Sequence, residues 1–203
     1  MARHRHPSQN HLRESITQLA ARLMAEGTED FSLAKRKAAS QLGVSDTRNL
    51  PNNSEIEQAL RAYQALYHRD EQINALRKLR TQALRLMREL EGFDPLLTGS
   101  VLRGTASVYS DINLVLFVDS QKDVEHFLLN RGLDYKTSEK RFRFSDGLRP
   151  VPILLINNTV EADVQLSILA HADRRSMPLS PIDGRVLLGA RLTEVLALLE
   201  QET

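Results

Sequence analysis

Residues 99–114 read GSVLRGTASVYSDINL, and this stretch decides the architecture of the second half of the chain. Just upstream, Pro95 precedes a short apolar run, 96–98, of strand type; Gly99-Ser100 then makes a turn and Val101 onward can start a helix. Glycine lets the backbone approach a ligand closely, and free N–H groups at a helix start favour an anion such as phosphate. Ten residues beyond Ser100 the chain re-enters a strand as Ser110-Asp111-Ile112-Asn113-Leu114. In a strand, Asp111 and Asn113 point to one face while Ile112 and Leu114 point to the other. Two oxygen-bearing side chains beside a phosphate-binding turn suit a Mg²⁺-bound nucleotide.

Downstream, residues 122–130 are amphipathic with helical spacing (Val124, Phe127, Leu128), and 140–144, 150–156 and 160–168 read as strands, before a closing helix over 192–201. In 160–168, VEADVQLSI, Glu161, Asp163 and Gln165 share one face. Upstream, the first ninety residues read as helix. Ser8 or Asn10 can cap a helix ending near Gly27, and Asp30 or Ser32 starts a second over 33–42. A turn-rich stretch with Pro51 and three asparagines follows, and Ser54 with Glu57 has the spacing of a capping box. Ile56, Leu60, Tyr63 and Tyr67 keep a four–three spacing that fails at Asp70 and Asn74. It resumes in a new phase at Ile73, Leu76, Leu79, Ala83, Met87 and Leu90. This spacing predicts two helices broken near His68–Asp70, the second stopped at Gly92, and hence a helical domain over 1–92 and an α+β domain over 93–203.

Composition narrows the function classes. The 203 residues contain no cysteine, which excludes disulfides, a thiolate nucleophile and thiolate metal sites. The apolar runs are strand-length and too short to span a bilayer, so no membrane partner is expected, and the polar, basic start predicts a cytoplasmic protein. Residues 1–92 carry 15 basic against 11 acidic side chains, net +4, and the remainder 12 against 15, net −3. Neither value marks a dedicated nucleic-acid surface. The triplet Lys35-Arg36-Lys37 reads first as the charged face of an amphipathic helix. No histidine pair has metal-ligand spacing outside the first residues, and no serine–histidine–acid arrangement is evident.

The spaced motif resembles that of the DNA polymerase beta-like nucleotidyltransferase superfamily, especially its small prokaryotic members, whose pattern is G-S-x-x-R-G, five residues, then S-D-I-D-L. Gly99, Ser100, Arg103, Gly104, Ser110, Asp111, Ile112 and Leu114 match at the same offsets. The resemblance covers residues 95–168. It implies that the helical N-terminal half read above is followed by a nucleotidyltransferase-like mixed β-sheet with flanking helices, an α+β fold. It further implies a Mg²⁺- or Mn²⁺-dependent enzyme that moves a nucleotidyl group from an NTP to a hydroxyl acceptor, whether a small molecule, a protein or RNA. Gly99, Ser100, Arg103 and Ser110 would then bind the nucleotide. Asp111 and Asp163 would be catalytic and, with Asn113, would hold metal, Glu161 being the fallback for Asp163.

Asn113 departs from the family pattern, which has a second carboxylate there. One unit charge about 4 Å from a divalent ion is worth roughly 8 kcal/mol at an effective dielectric near 20, before hydration offsets most of it. Even about a quarter of that weakens a metal site more than tenfold. Two alternatives follow: a catalytically degenerate module of the same fold that senses nucleotide or binds protein, and a nucleic-acid-binding regulator built on the basic helical half. Arg174, Arg175 and Arg185 reach a triphosphate only if the chain after residue 168 folds back over the site.

Overall fold

A computed structural model of the chain describes residues 9–44, 50–157 and 161–201. Among the described residues it is α+β, with seven α-helices and a five-stranded mixed sheet, and it divides into two compact units, Met1–Arg69 and Asp70–Thr203.

The first unit holds α1 (Gln9–Ala25), α2 (Phe31–Gln41) and α3 (Asn53–Tyr67). Asp30 starts α2 by accepting a hydrogen bond from the Leu33 amide at 2.7 Å. The capping box of α3 lies two residues ahead of the expected Ser54–Glu57 pair. Asn52 Oδ1 accepts from the Glu55 amide at 2.8 Å, and Glu55 Oε2 accepts from the Asn52 amide at 2.7 Å. Asparagine caps as well as serine does, and Pro51 before it already holds the chain extended. Asn10 lies within α1, and Ser8 is outside the described residues. Ile16, Ala20, Ala21, Ala34, Ala38, Ala39, Ile56, Ala59 and Leu60 form the core; its many alanines let the helix axes approach closely. Arg13 on α1 grips Glu55 on α3 through two hydrogen bonds, of 3.0 and 2.6 Å.

The helical stretch breaks at His68, as the phase change implied, and α4 (Arg69–Glu89) follows with Asp70 in its first turn. The chain divides at Arg69–Asp70 rather than at residue 92. The reason is packing: Leu76, Leu79, Ala83, Leu84 and Met87 bury themselves in the same core as the strands. An apolar stripe on a helix says that it packs, not against what. Tyr67 and Ile73, both expected in a core, are exposed.

The second unit continues with β1 (Leu96–Thr98), α5 (Gly99–Arg103), β2 (Ile112–Phe117), α6 (Gln121–Asn130), β3 (Lys136–Phe144), β4 (Gly147–Ile156), β5 (Val164–Leu169) and α7 (Leu192–Gln201). The sheet order is β1-β2-β5-β4-β3, with β2 and β5 parallel and every other pair antiparallel. Both β3 and β4 are longer than the strands expected over 140–144 and 150–156. Pairing with β4 carries β3 back to Lys136, although almost every β3 side chain is exposed. β4 pairs with β5 only from Ile153 onward, beyond Pro150 and Pro152, which have no amide hydrogen to donate.

Alternation sorts the two faces of the sheet. Ile112, Leu114 and Leu116 of β2, Leu154 and Ile156 of β4, and Val164, Leu166 and Ile168 of β5 join residues from α4, α5, α6 and α7 in the main core. The opposite face carries a smaller apolar cluster around Val115, Phe117, Val151, Ile153 and Leu169. It also carries a polar row, because Thr98 pairs with Asn113 and Asn113 with Gln165. No helix among the described residues is long and apolar enough to cross a membrane.

Candidate functional site

The polar row ends in the features that the motif singled out. β1 stops at Thr98, whose hydroxyl donates to the Asn113 carbonyl at 3.2 Å and makes no cap on α5. Gly99 follows with φ +76°, a left-handed value that glycine adopts without strain. A Cβ placed there would sit 3.1 Å from Asn113 Nδ2 and 3.3 Å from Asn113 Cβ, so the backbone angle favours glycine and a side chain would in addition crowd Asn113. Ser100, half-exposed, is the second residue of α5, and its carbonyl accepts from the amides of Gly104 and Thr105. α5 is thus a single closed turn; Arg103 is half-buried at its end.

Its C-terminal carbonyls are held from α4. Arg80, 5% exposed, donates from Nε to the Val101 carbonyl at 3.1 Å and from Nη2 to the Leu102 carbonyl at 3.2 Å. Gln72 Nε2 donates to the Gly104 carbonyl at 2.8 Å. These two residues of α4 therefore fix the short helix that opens with Gly99 and Ser100. The sequence contained one signal of this: Arg80 falls four residues after Leu76 on the apolar stripe, and a charge there demands buried partners.

The turn leading into β2 is self-contained. The Ser110 amide donates to the Ser107 carbonyl and the Ser110 hydroxyl accepts from the Ser107 amide, both at 3.1 Å, so Ser110 shapes the loop. Asp111, half-buried, comes next, and Asn113 Nδ2 donates to its carbonyl at 3.3 Å.

Asp163 arrives from the other side. Ile112 pairs with Val164 in the parallel ladder, and the Ile112 amide donates to the Asp163 carbonyl at 3.0 Å. Asp111 and Asp163 therefore enter neighbouring strands side by side, with backbones about 5 Å apart. Asp163 is exposed and lies just ahead of β5 rather than within it; its Oδ2 accepts from Asn157 Nδ2 at 2.8 Å. The segment before it is pinned by buried Gln82 of α4, whose Oε1 accepts from the Glu161 amide at 2.8 Å. Glu161 itself is exposed, and Val160 is outside the described residues.

Gln165, 7% exposed, continues the row and accepts a short hydrogen bond from the Lys140 ammonium. Arg174 and Arg175 follow the far end of β5, the end away from Asp163. Arg174 pairs there with Asp94 and lies over the Phe117 ring at 5.1 Å, so the chain after β5 does not bring it to the site.

The structure thus brings together Gly99, Asn113, Asp111 and Asp163. Among the described residues no group of three or more histidine, aspartate or glutamate side chains could hold a metal ion. Two carboxylates remain, and Mg²⁺ is ordinarily held by one or two carboxylates together with substrate phosphates rather than by an all-protein cage. The donor set fits an ion that arrives on a nucleotide better than one held alone. No family model, no curated protein and no solved structure matches this chain.

Proposed function

We propose that the second unit is a nucleotidyltransferase that binds an NTP with Mg²⁺ or Mn²⁺ and transfers the nucleotidyl group to a hydroxyl-bearing acceptor. One observation carries this reading: Asp111 and Asp163 enter paired parallel strands side by side, in the same corner as the left-handed turn at Gly99. Gly99 and Ser100 would receive the phosphates, with Arg103 close by on the same short helix. Asp111 and Asp163 would hold the ion that the nucleotide brings, which offsets charge on the phosphates. Asp163, exposed at the strand entrance, would accept the proton of the acceptor hydroxyl. The acceptor oxygen then bonds to the α-phosphorus as the bond to pyrophosphate breaks. A cytoplasmic setting, where magnesium nucleotides are abundant, goes with this reading.

Asn113 favours a second reading, a module of this architecture that binds nucleotide without turnover. Its amide nitrogen donates to the Asp111 carbonyl, and its oxygen brings no charge to an ion. Incubation with each α-labelled NTP, divalent ion and a bacterial lysate separates the two. Label on an acceptor, abolished by Asp111→Ala, supports transfer. Nucleotide binding with no label under any condition supports the second reading, and neither binding nor label removes both.

A further inference from the structure

A groove of about 1410 Å³ runs between α4 and the segment before β3, reaching the ends of β4 and β5 at Asn157 and Asp163. Arg77, Thr81 and Arg85 line its α4 wall. They are successive members of an i, i+4 row, each about 6 Å further along the helix. Lys78 lies beside them, and Lys136 faces the groove from β3. None of these four cationic side chains makes a hydrogen bond or ion pair with another described residue. By contrast, the carboxylate at the α4 end, Glu89, is already held by Arg131 at 3.4 Å. Asp134, Glu161 and Asp163 also line the groove, so it is the unpaired cations along α4, rather than the net charge of the lining, that mark this wall. Half-buried Tyr135 supplies an aromatic ring to the same lining.

We infer that this groove binds a single strand of nucleic acid, its phosphates following Arg77, Lys78 and Arg85 and a base stacking on Tyr135. Unpaired like charges along one wall repel each other until an anion lies between them, which selects a ligand with repeated negative charge. Repeated cations with an interleaved aromatic side chain match a strand better than an acidic peptide, because bases offer π-faces and carboxylate side chains do not. Asn74, about one turn before Arg77 on the same helix, also lines the groove, and its amide can donate to a phosphate oxygen. The site lies in the sheet unit, not on the basic helical half. It does not depend on the transferase reading, although a strand seated here would run toward Asp163.

The test is fluorescence anisotropy of a labelled twelve-nucleotide RNA or DNA strand with the full chain in EDTA, without NTP. Three to four phosphate contacts predict affinity that falls about 20- to 50-fold between 50 and 200 mM salt. The double variant Arg77→Glu/Arg85→Glu should lose at least about tenfold, and Tyr135→Ala about fivefold or more. Lys136→Glu on the opposite wall tests the same claim should the double variant fail to fold. Asp111→Ala and the triple change Lys35→Glu/Arg36→Glu/Lys37→Glu should bind as the native chain does. The inference is overturned by absent binding at 50 mM salt, by groove variants that bind normally, or by loss confined to the triple variant. It is equally overturned if polyglutamate competes as well as the strand and Tyr135→Ala has no effect, which would mark an acidic-peptide site.

Discussion

Gly99 and Asn113 face each other across the β1–β2 pair so closely that a Cβ on Gly99 would lie 3.1 Å from the Asn113 amide nitrogen. With φ at +76°, Gly99→Ala adds a left-handed penalty of about 1–2 kcal/mol to that crowding. The variant is expected to be less stable by about that free energy, unfolding at lower denaturant concentration, and to lose nucleotide affinity. Denaturant titration followed by calorimetry checks both.

Asn113→Asp restores the carboxylate that the motif lacks. It also replaces the donor to the Asp111 carbonyl with an acceptor, so two oxygens meet where a hydrogen bond stood. Without divalent ion the variant should be less stable by about 1–3 kcal/mol. With Mg²⁺ and NTP it should bind metal more than about tenfold tighter than the native chain. Thermal melts with and without Mg²⁺-NTP measure the crossover.

Arg80→Met keeps an unbranched apolar stem, shorter than that of arginine, and removes its donors. The Val101 and Leu102 carbonyls lose a buried partner each, at about 1–3 kcal/mol apiece, so a loss near 3 kcal/mol is expected. Because these carbonyls close α5, nucleotide affinity should fall with stability, and Arg80→Lys should recover part of both. Chemical denaturation and nucleotide titration of the two variants decide it.

The helical unit has its own pH response. The hydrogen bonds from Arg13 hold the Glu55 carboxyl below its usual range, helped by the bond from the Asn52 amide. A lowered folded value adds stability above the unfolded value, about 4.3, that is lost as pH falls through the folded one. Both side chains are more than a third exposed, which limits the effect to about 1 kcal/mol. Glu55→Gln can keep the cap but not the charge, so its deficit against the native chain should be present at pH 7 and gone near pH 3. Circular dichroism of denaturant melts at the two pH values measures that difference.

Much of the local structure was legible because it is written in local signals. Pro95 and Gly99 bracket β1, whose limits, Leu96–Thr98, are those read from the sequence. The same holds for α7, Leu192–Gln201. Long-range pairing was not legible. β3 extends to Lys136 through its partner, not through its own exposed and patternless residues. The allegiance of α4 to the sheet depends on which surface its stripe meets, which no spacing encodes. The candidate site divides in the same way. The turn at Gly99 and the start of β2 could be read from residues 99–114. The parallel register that sets Asp163 beside Asp111, and the grip of Gln82 on the Glu161 amide, arise only when distant segments meet.

Isothermal titration of the native chain and of Asp111→Ala with each NTP, with and without Mg²⁺ or Mn²⁺, tests the central claim most directly. Metal-dependent binding of at least one NTP, weakened tenfold or more by Asp111→Ala, is the predicted result. Equal heats for the two proteins, or nucleotide binding indifferent to the divalent ion, would contradict a metal–nucleotide site at Asp111 and Asp163.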